Sequence, residues 1–146
     1  MTETTPQRHW IEAGHLIDLE VPEPEVEHVL TAVRRVIRLQ HGDFEAVSFA
    51  SCPGTQRFRV LPGARNAATD DVVTVPCVSL RFFVPGDDDA LGAVMSALYD
   101  VHPYEEPVIY IQAVRRGRHI AGADEDNPNR FWNRETPDWV PEPHRN

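Results

Sequence analysis

Lysine is missing from this chain: all 14 basic residues are arginine. No side chain is therefore available for a lysine Schiff base or for the phosphate grip of a P-loop. Cysteine is scarce. The two cysteines, Cys52 and Cys77, stand too far apart for a zinc-site spacing. In a cytoplasmic protein they read as two small half-buried side chains before they read as a disulfide. No apolar run reaches the roughly 20 residues that a bilayer-spanning helix needs. The start, Met1-Thr2-Glu3-Thr4-Thr5-Pro6, shows no charged segment followed by an apolar one, so no secretory signal is expected and the protein reads as cytoplasmic. Positive charge is also in deficit, with 23 acids against 14 bases and a formal net charge of -9. That balance argues against nucleic acid, whose phosphates call for a basic face, and against an anionic membrane surface. Gly-x-Ser-x-Gly, His-Glu-x-x-His and Gly-x-Gly-x-x-Gly are all absent, so no nucleophile elbow, metalloprotease helix or dinucleotide loop is announced.

What is present suits one globular domain: 146 residues, 41% hydrophobic and 25% charged. Residues 1–13 are polar and aperiodic and are expected as a flexible arm. From His15 to Val21 the chain alternates, with Ile17, Leu19 and Val21 opposite Asp18 and Glu20, which predicts a half-buried strand. Val26, Val29, Leu30, Val33, Val36 and Ile37 then recur at helical spacing, and His41-Gly42 reads as the stop. Phe44 to Ser51 is expected as the second strand, closed by a turn at Cys52-Pro53-Gly54. A long hairpin or excursion follows between Thr55 and Asp71. Val72 to Val84 is the clearest strand, and Pro76 places its start at an edge or bulge. Asp87, Asp88 and Asp89 supply an N-cap and first-turn acids for a helix on Leu91, Val94, Met95 and Leu98. Pro103 ends that helix. Val108 to Val114 is apolar on both faces and is expected to be central or covered.

Strand, helix, strand, then strand, helix, strand is the split arrangement of a ferredoxin-like α+β fold, one antiparallel sheet with both helices on a single face. The uncovered face, carrying Phe83, would then ask for a partner, so self-association is expected. Residues 117–146 form an extended, proline-rich tail. Its Phe131, Trp132 and Trp139 imply packing rather than disorder.

Chemistry gathers at His102-Pro103-Tyr104-Glu105-Glu106-Pro107. The run stops a helix, turns and launches a strand within six residues, and it offers an imidazole, a phenol and two carboxylates. Two readings stand side by side. In one, His102, Glu105 and Glu106, with Cys52 meeting a neighbouring subunit, hold a divalent metal ion. In the other, Pro103 breaks the helix, Tyr104 packs its ring and the glutamates pair with arginines across an interface. Arg57 and Arg59 would face one way on a strand, flanking Phe58. They could hold an anionic ligand in bidentate fashion or pair with the many acids.

The chain resembles the PII-like, CutA-like insert domain of the YqfO-type dinuclear-metal-centre proteins. The resemblance runs through Val21-Pro22, Gly42-Asp43-Phe44 to Ser48-Phe49, Arg57-Phe58-Arg59 with Pro62-Gly63-Ala64, and Ala97-Leu98-Tyr99-Asp100-Val101-His102-Pro103-Tyr104-Glu105-Glu106-Pro107. These segments fall in the family's order over roughly residues 15 to 116, and a similar hexamer occurs at the equivalent corner of CutA proteins. The CutA Cys-Val-Asn signature is missing. Gly54-Thr55-Gln56-Arg57 and Asn66-Ala67-Ala68 depart from the family's glycine-rich middle. The resemblance implies a ferredoxin-like domain over 14–116, homotrimers built edge to edge, and a small-ligand or regulatory module without catalysis of its own. Its expected ligand-binding residues are Arg57, Phe58, Arg59, His102, Tyr104, Glu105 and Glu106. CutA-type copper or zinc binding is the alternative, and nucleotide hydrolysis, by analogy with the larger proteins, is the third. The dinuclear centre of those proteins lies in flanking lobes beyond the stretch of resemblance and is not carried over.

Overall fold

The computed structural model describes residues 7–86 and 88–145. They divide into two compact units, Ile11–Arg116 and a second formed by the chain's two ends. Five strands and two α-helices appear in the order β1 (His9–Val21), α1 (Val26–Arg34), β2 (Phe49–Ala50), β3 (Gly54–Phe58), β4 (Val73–Pro85), α2 (Asp88–Val101) and β5 (Ile109–His119). The sheet runs β2-β4-β1-β5, with β3 also on β4. β4 is antiparallel to β1 from Gly14↔Pro85 to Val21↔Val78. This is the expected ferredoxin-like α+β architecture.

Alternation decides the core. Ile17, Leu19 and Val21 of β1 and Val78, Leu80, Phe82 and Val84 of β4 point to one face. There they meet Val29 and Val33 of α1 and Val94 and Leu98 of α2, and all are buried. Neighbouring residues of opposite parity form the open face. Asp18, Glu20, Ser79, Arg81, Phe83 and Arg116 lie there.

The expected second strand is displaced. β2 holds only Phe49 and Ala50, and Phe44 joins His41 in an isolated bridge. Leu39 takes a left-handed φ of 53° while its side chain is 3% exposed. That residue turns the chain back, so Val47 N–H donates to the Leu39 carbonyl at 2.9 Å, where the sequence pattern extends α1 to Ile37. Cys52-Pro53-Gly54 makes no turn either. Ala50 pairs with Leu80 and Gly54 with Cys77, so the β2–β3 line carries one more residue than β4 between these pairs. The triplet is a bulge within one interrupted strand.

Two further expectations change. β5 is an edge strand, and it leaves Tyr110 60% and Ile111 44% exposed. The chain from His9 to Ala13, expected as arm, is already strand. Asp87 lies outside the described residues. Pro76 pairs with β3 alone, beyond the end of the β1 register at Val78, a stretch with a strand on one side only that tolerates the missing N–H.

The second unit, described over residues 7–10 and 117–145, holds the first residues of β1 and the last of β5, then turns and two short 3-10 helices, Phe131–Asn133 and Glu142–His144. Asp124 is 1% exposed at its centre. Its carboxylate pairs with Arg130 and lies 3.4 Å from His119 Nε2. The Glu125 carbonyl accepts from Trp132 Nε1 at 2.8 Å and Asn133 Nδ2 at 2.7 Å. Phe131 stacks edge-on against both Trp132 and Trp139.

Candidate functional site

The corner after α2 is built by His102. Its backbone N–H donates to the Leu98 carbonyl at 2.9 Å and so closes the helix. The imidazole is 8% exposed. Its Nε2 lies 2.8 Å from the Glu20 carbonyl, and its Nδ1 accepts from the Tyr104 N–H at 3.1 Å. A carbonyl only accepts, so Nε2 carries the proton and the Nδ1 lone pair is filled. Both ring nitrogens are engaged, Nε2 in tying the corner to β1 and Nδ1 within the corner itself.

Beneath the corner lies a group of side chains of which sequence reasoning singled out Tyr104 alone. The half-buried Tyr104 phenol and the Cys77 thiol influence one another here, and the thiol points to the Val78 carbonyl at 3.9 Å. Burial pushes the Cys77 thiol up, the Glu20 carboxylate adds to this, and the bonds from Tyr104 and the backbone offset it in part. Burial likewise raises the Tyr104 phenol, reinforced by Cys77 and Glu20. Glu20 accepts from Gln56 Nε2 at 3.4 Å. Farther along the open face, Ser79 Oγ donates to Asp18 Oδ1 at 2.6 Å, and Arg81 lies over Phe49 at 4.8 Å. The one sequence signal was parity: Asp18 and Glu20 alternate with the core residues of β1. Which strand faces them is a matter of register.

The excursion after β3 is closed at its base by a reciprocal pair. Val60 N–H donates to Thr69 Oγ1 at 3.0 Å, and Thr69 N–H to the Val60 carbonyl at 3.0 Å. Arg59 bonds the Thr69 carbonyl at 3.2 Å and so braces the loop. Arg57, on β3 opposite Thr74, is exposed. Phe58 is 39% exposed. Arg65 N–H donates to Glu105 Oε2 at 3.1 Å, which brings the excursion onto the corner. Glu106 is exposed beside it.

The expected metal set does not assemble within one chain. Among the described residues no three His, Cys, Asp or Glu side chains are grouped to hold a metal ion. Cys52 sits exposed in the β-bulge, and His102 has both nitrogens engaged. The open face also differs from the expected apolar one. Phe83 is covered by the Arg116 guanidinium at 3.8 Å, and Arg116 is held by Glu12 at 2.8 Å and the Gln40 carbonyl at 3.0 Å. Exposed apolar side chains occur at both margin strands, with Phe49 and Phe58 on one and Tyr110 and Ile111 on the other, and also at Ile11 of β1.

Architecture and corner together define an α+β protein of the ferredoxin-like class seen in CutA. Solved structures carry the comparison. The chain is similar to a Bacillus cereus protein related to NIF3, with 21% identity and a TM-score of 0.59 over 78% of this chain and 28% of that one. It thus spans little more than a quarter of that protein's length. It is also similar to the divalent ion tolerance protein CutA1 from Ehrlichia chaffeensis, with 10% identity and a TM-score of 0.52 over 70% and 81% of the two chains. CutA from Xylella fastidiosa gives 18% identity and a TM-score of 0.52 over 70% and 84%. No family model and no curated protein matches the sequence. At these identities the likeness is one of fold.

Proposed function

We propose that this protein is a non-catalytic, small-ligand-binding regulatory module of the PII/CutA-like kind that works as a homotrimer. The carrying observation is the Arg65–Glu105 bond, which closes the excursion onto the corner, where Glu105 and Glu106 are exposed and Tyr104 is half-buried, while Arg57 and Phe58 are exposed on β3 at the foot of the excursion. One exposed guanidinium, one half-open aromatic ring and a phenol suit a small anionic, partly planar ligand. In this reading His102 and Arg59 position the surface and do not touch the ligand. The exposed apolar side chains at both sheet margins support edge-to-edge assembly, because margin strands carrying apolar groups bury them against another copy. A CutA-type metal site would have to draw on Cys52, Glu105, Glu106 and a second chain, since the His102 ring has no free lone pair.

Sedimentation in dilute solution and a thermal-shift screen with nucleotides and small carboxylates test this reading. The expected result is a mass above one subunit and a melting point raised by at least one compound, with the rise lost in Arg57→Ala. A stable lone subunit whose melting point no compound moves would remove the proposal.

A further inference from the structure

The geometry points to a second site: an open cleft at the other end of the sheet that takes a small anion through a phosphoryl or carboxylate group. The cleft encloses about 400 Å³ and is lined by Ala13, Gly14 and His15 of β1, by Gly86, and by Ala113, Val114 and Arg115 of β5. That volume lies near the lower end of the roughly 300–1,000 Å³ of small-molecule sites. Ala13 and His15 share the parity of Ile17, and Ala113 and Arg115 that of Ile109, so the cleft lies on the helix side of the sheet. Ala13, Ala113 and Arg115 are nevertheless exposed, so no helix covers it. Small side chains make most of the wall, which leaves room for a ligand against the backbone.

Two nitrogen-bearing side chains border this space, and each carries a nitrogen that the described residues leave unpaired. His15 Nδ1 is shut from water with no hydrogen-bond partner, a destabilising state for a polar atom. The Arg115 side chain makes no hydrogen bond or ion pair among the described residues. Its neighbour Arg116 is, by contrast, fully engaged by Glu12, Gln40 and Phe83. Among the described residues no carboxylate lines the cleft. A guanidinium fork beside an imidazole matches the oxygens of an oxyanion, and an apolar ligand would leave both groups unpaired. The broad two-fold torsion of histidine lets the imidazole turn its Nδ1 edge toward the cleft as the anion enters. Gly14 and Glu20 lie at opposite ends of the β1–β4 register, roughly 20 Å apart along the strand. The cleft is thus separate from the Tyr104 corner and does not depend on the reading given to that corner.

Amide NMR of the full chain, titrated separately with inorganic phosphate and with citrate, tests the site. The expected result is saturable shifts at Gly14, Gly86, Ala113 and Val114. Saturation by phosphate alone identifies a phosphoryl source, and saturation by citrate alone a carboxylate. Arg115→Ala, an exposed change that spares the core, should weaken the response by about tenfold or more. His15→Asn, which keeps a nitrogen near Nδ1, should retain binding that His15→Leu loses. The proposal is overturned if neither probe saturates, if the shifts persist unchanged in Arg115→Ala, or if the cleft resonances follow protein concentration instead of probe, which would assign the cleft to a second copy.

Discussion

The strand–helix unit and the unit formed by the chain ends are held by opposite means. In the first, β1 and β4 bury an unbroken apolar face under two helices, and Ile17, Leu19, Leu80 and Val84 are fully buried. In the second, a single buried carboxylate organises the chain, and its large aromatics stay in contact with water: Phe131 is 40%, Trp132 47% and Trp139 76% exposed. Apolar burial is non-directional and spreads over many residues, so it tolerates local irregularity such as the bulge at Cys52. A buried charge depends on a few partners placed at fixed distances. The first unit should therefore fail globally and the second locally.

The largest effect is expected in the first unit. Leu80→Ala removes the centre of the β4 face and should cost about 2–5 kcal/mol, a large part of an ordinary domain's total stability. Chemical denaturation measures it, and a cost near zero would mean that the apolar face does not hold this unit.

Next comes a packing test at the open face. A Cβ on Gly14 would lie 2.3 Å from Phe83 Cζ and 2.6 Å from the Val84 carbonyl oxygen. The ring can turn aside but the backbone oxygen cannot, so Gly14→Ala should cost about 1–3 kcal/mol. A variant as stable as the parent would show that β1 and β4 are free to move apart there.

The second unit answers to acid. Burial works to raise the Asp124 carboxyl, but the hydrogen bond and charge of Arg130, with His119 and Asn127, outweigh it and hold the group below its ordinary value. A depressed folded value means that the carboxylate's contribution is fully present above the ordinary carboxylate range and is lost as pH falls through the folded value. Amide exchange in residues 120–134 should thus stay protected into mildly acidic solution and then open, while residues 78–84 of β4 remain closed. Asp124→Asn should open the same stretch at neutral pH. Simultaneous loss of both regions would erase the contrast between the units.

Smaller effects sharpen the corner. Cys52 is exposed and Cys77 is buried with its thiol pushed up, so a thiol reagent near pH 8 should label Cys52 alone in the folded protein. Tyr104→Phe removes the phenol hydroxyl that acts on that thiol and should cost no more than about 1.5 kcal/mol. Because that group partly offsets the rise of the Cys77 thiol, its loss should slow any labelling of Cys77 further.

Much of this was legible in advance, and the exceptions share a cause. Periodicity located β1, β4 and α2 because their apolar faces are regular and face one core. It misread the stretch from Val36 to Gly54, where Ile37 and Leu39 reach the core from non-helical backbone and Cys52-Pro53-Gly54 resembles a turn while serving as a bulge. Val108 to Val114 misled for another reason. A strand that is apolar on both sides reads the same whether its second side is covered by its own chain or left at an edge. At the corner, the hexamer announced that His102 and Tyr104 matter. Their partners Glu20, Gln56 and Cys77 come from three other strands, and no local pattern names them.

The order of residues alone determined the class of fold, because alternation and helical spacing state which side of each element must leave water. The position of the corner was likewise written locally, in a proline that a helix cannot continue through. Tertiary structure alone decided what the corner's groups do. Hydrogen bonds reach only about 3 Å, so whether an imidazole is free to bind or already spent depends on which carbonyl the sheet register sets against it. Here β1 brings the Glu20 carbonyl to His102, and the residue that looked most like a ligand becomes the tie that holds the site in place.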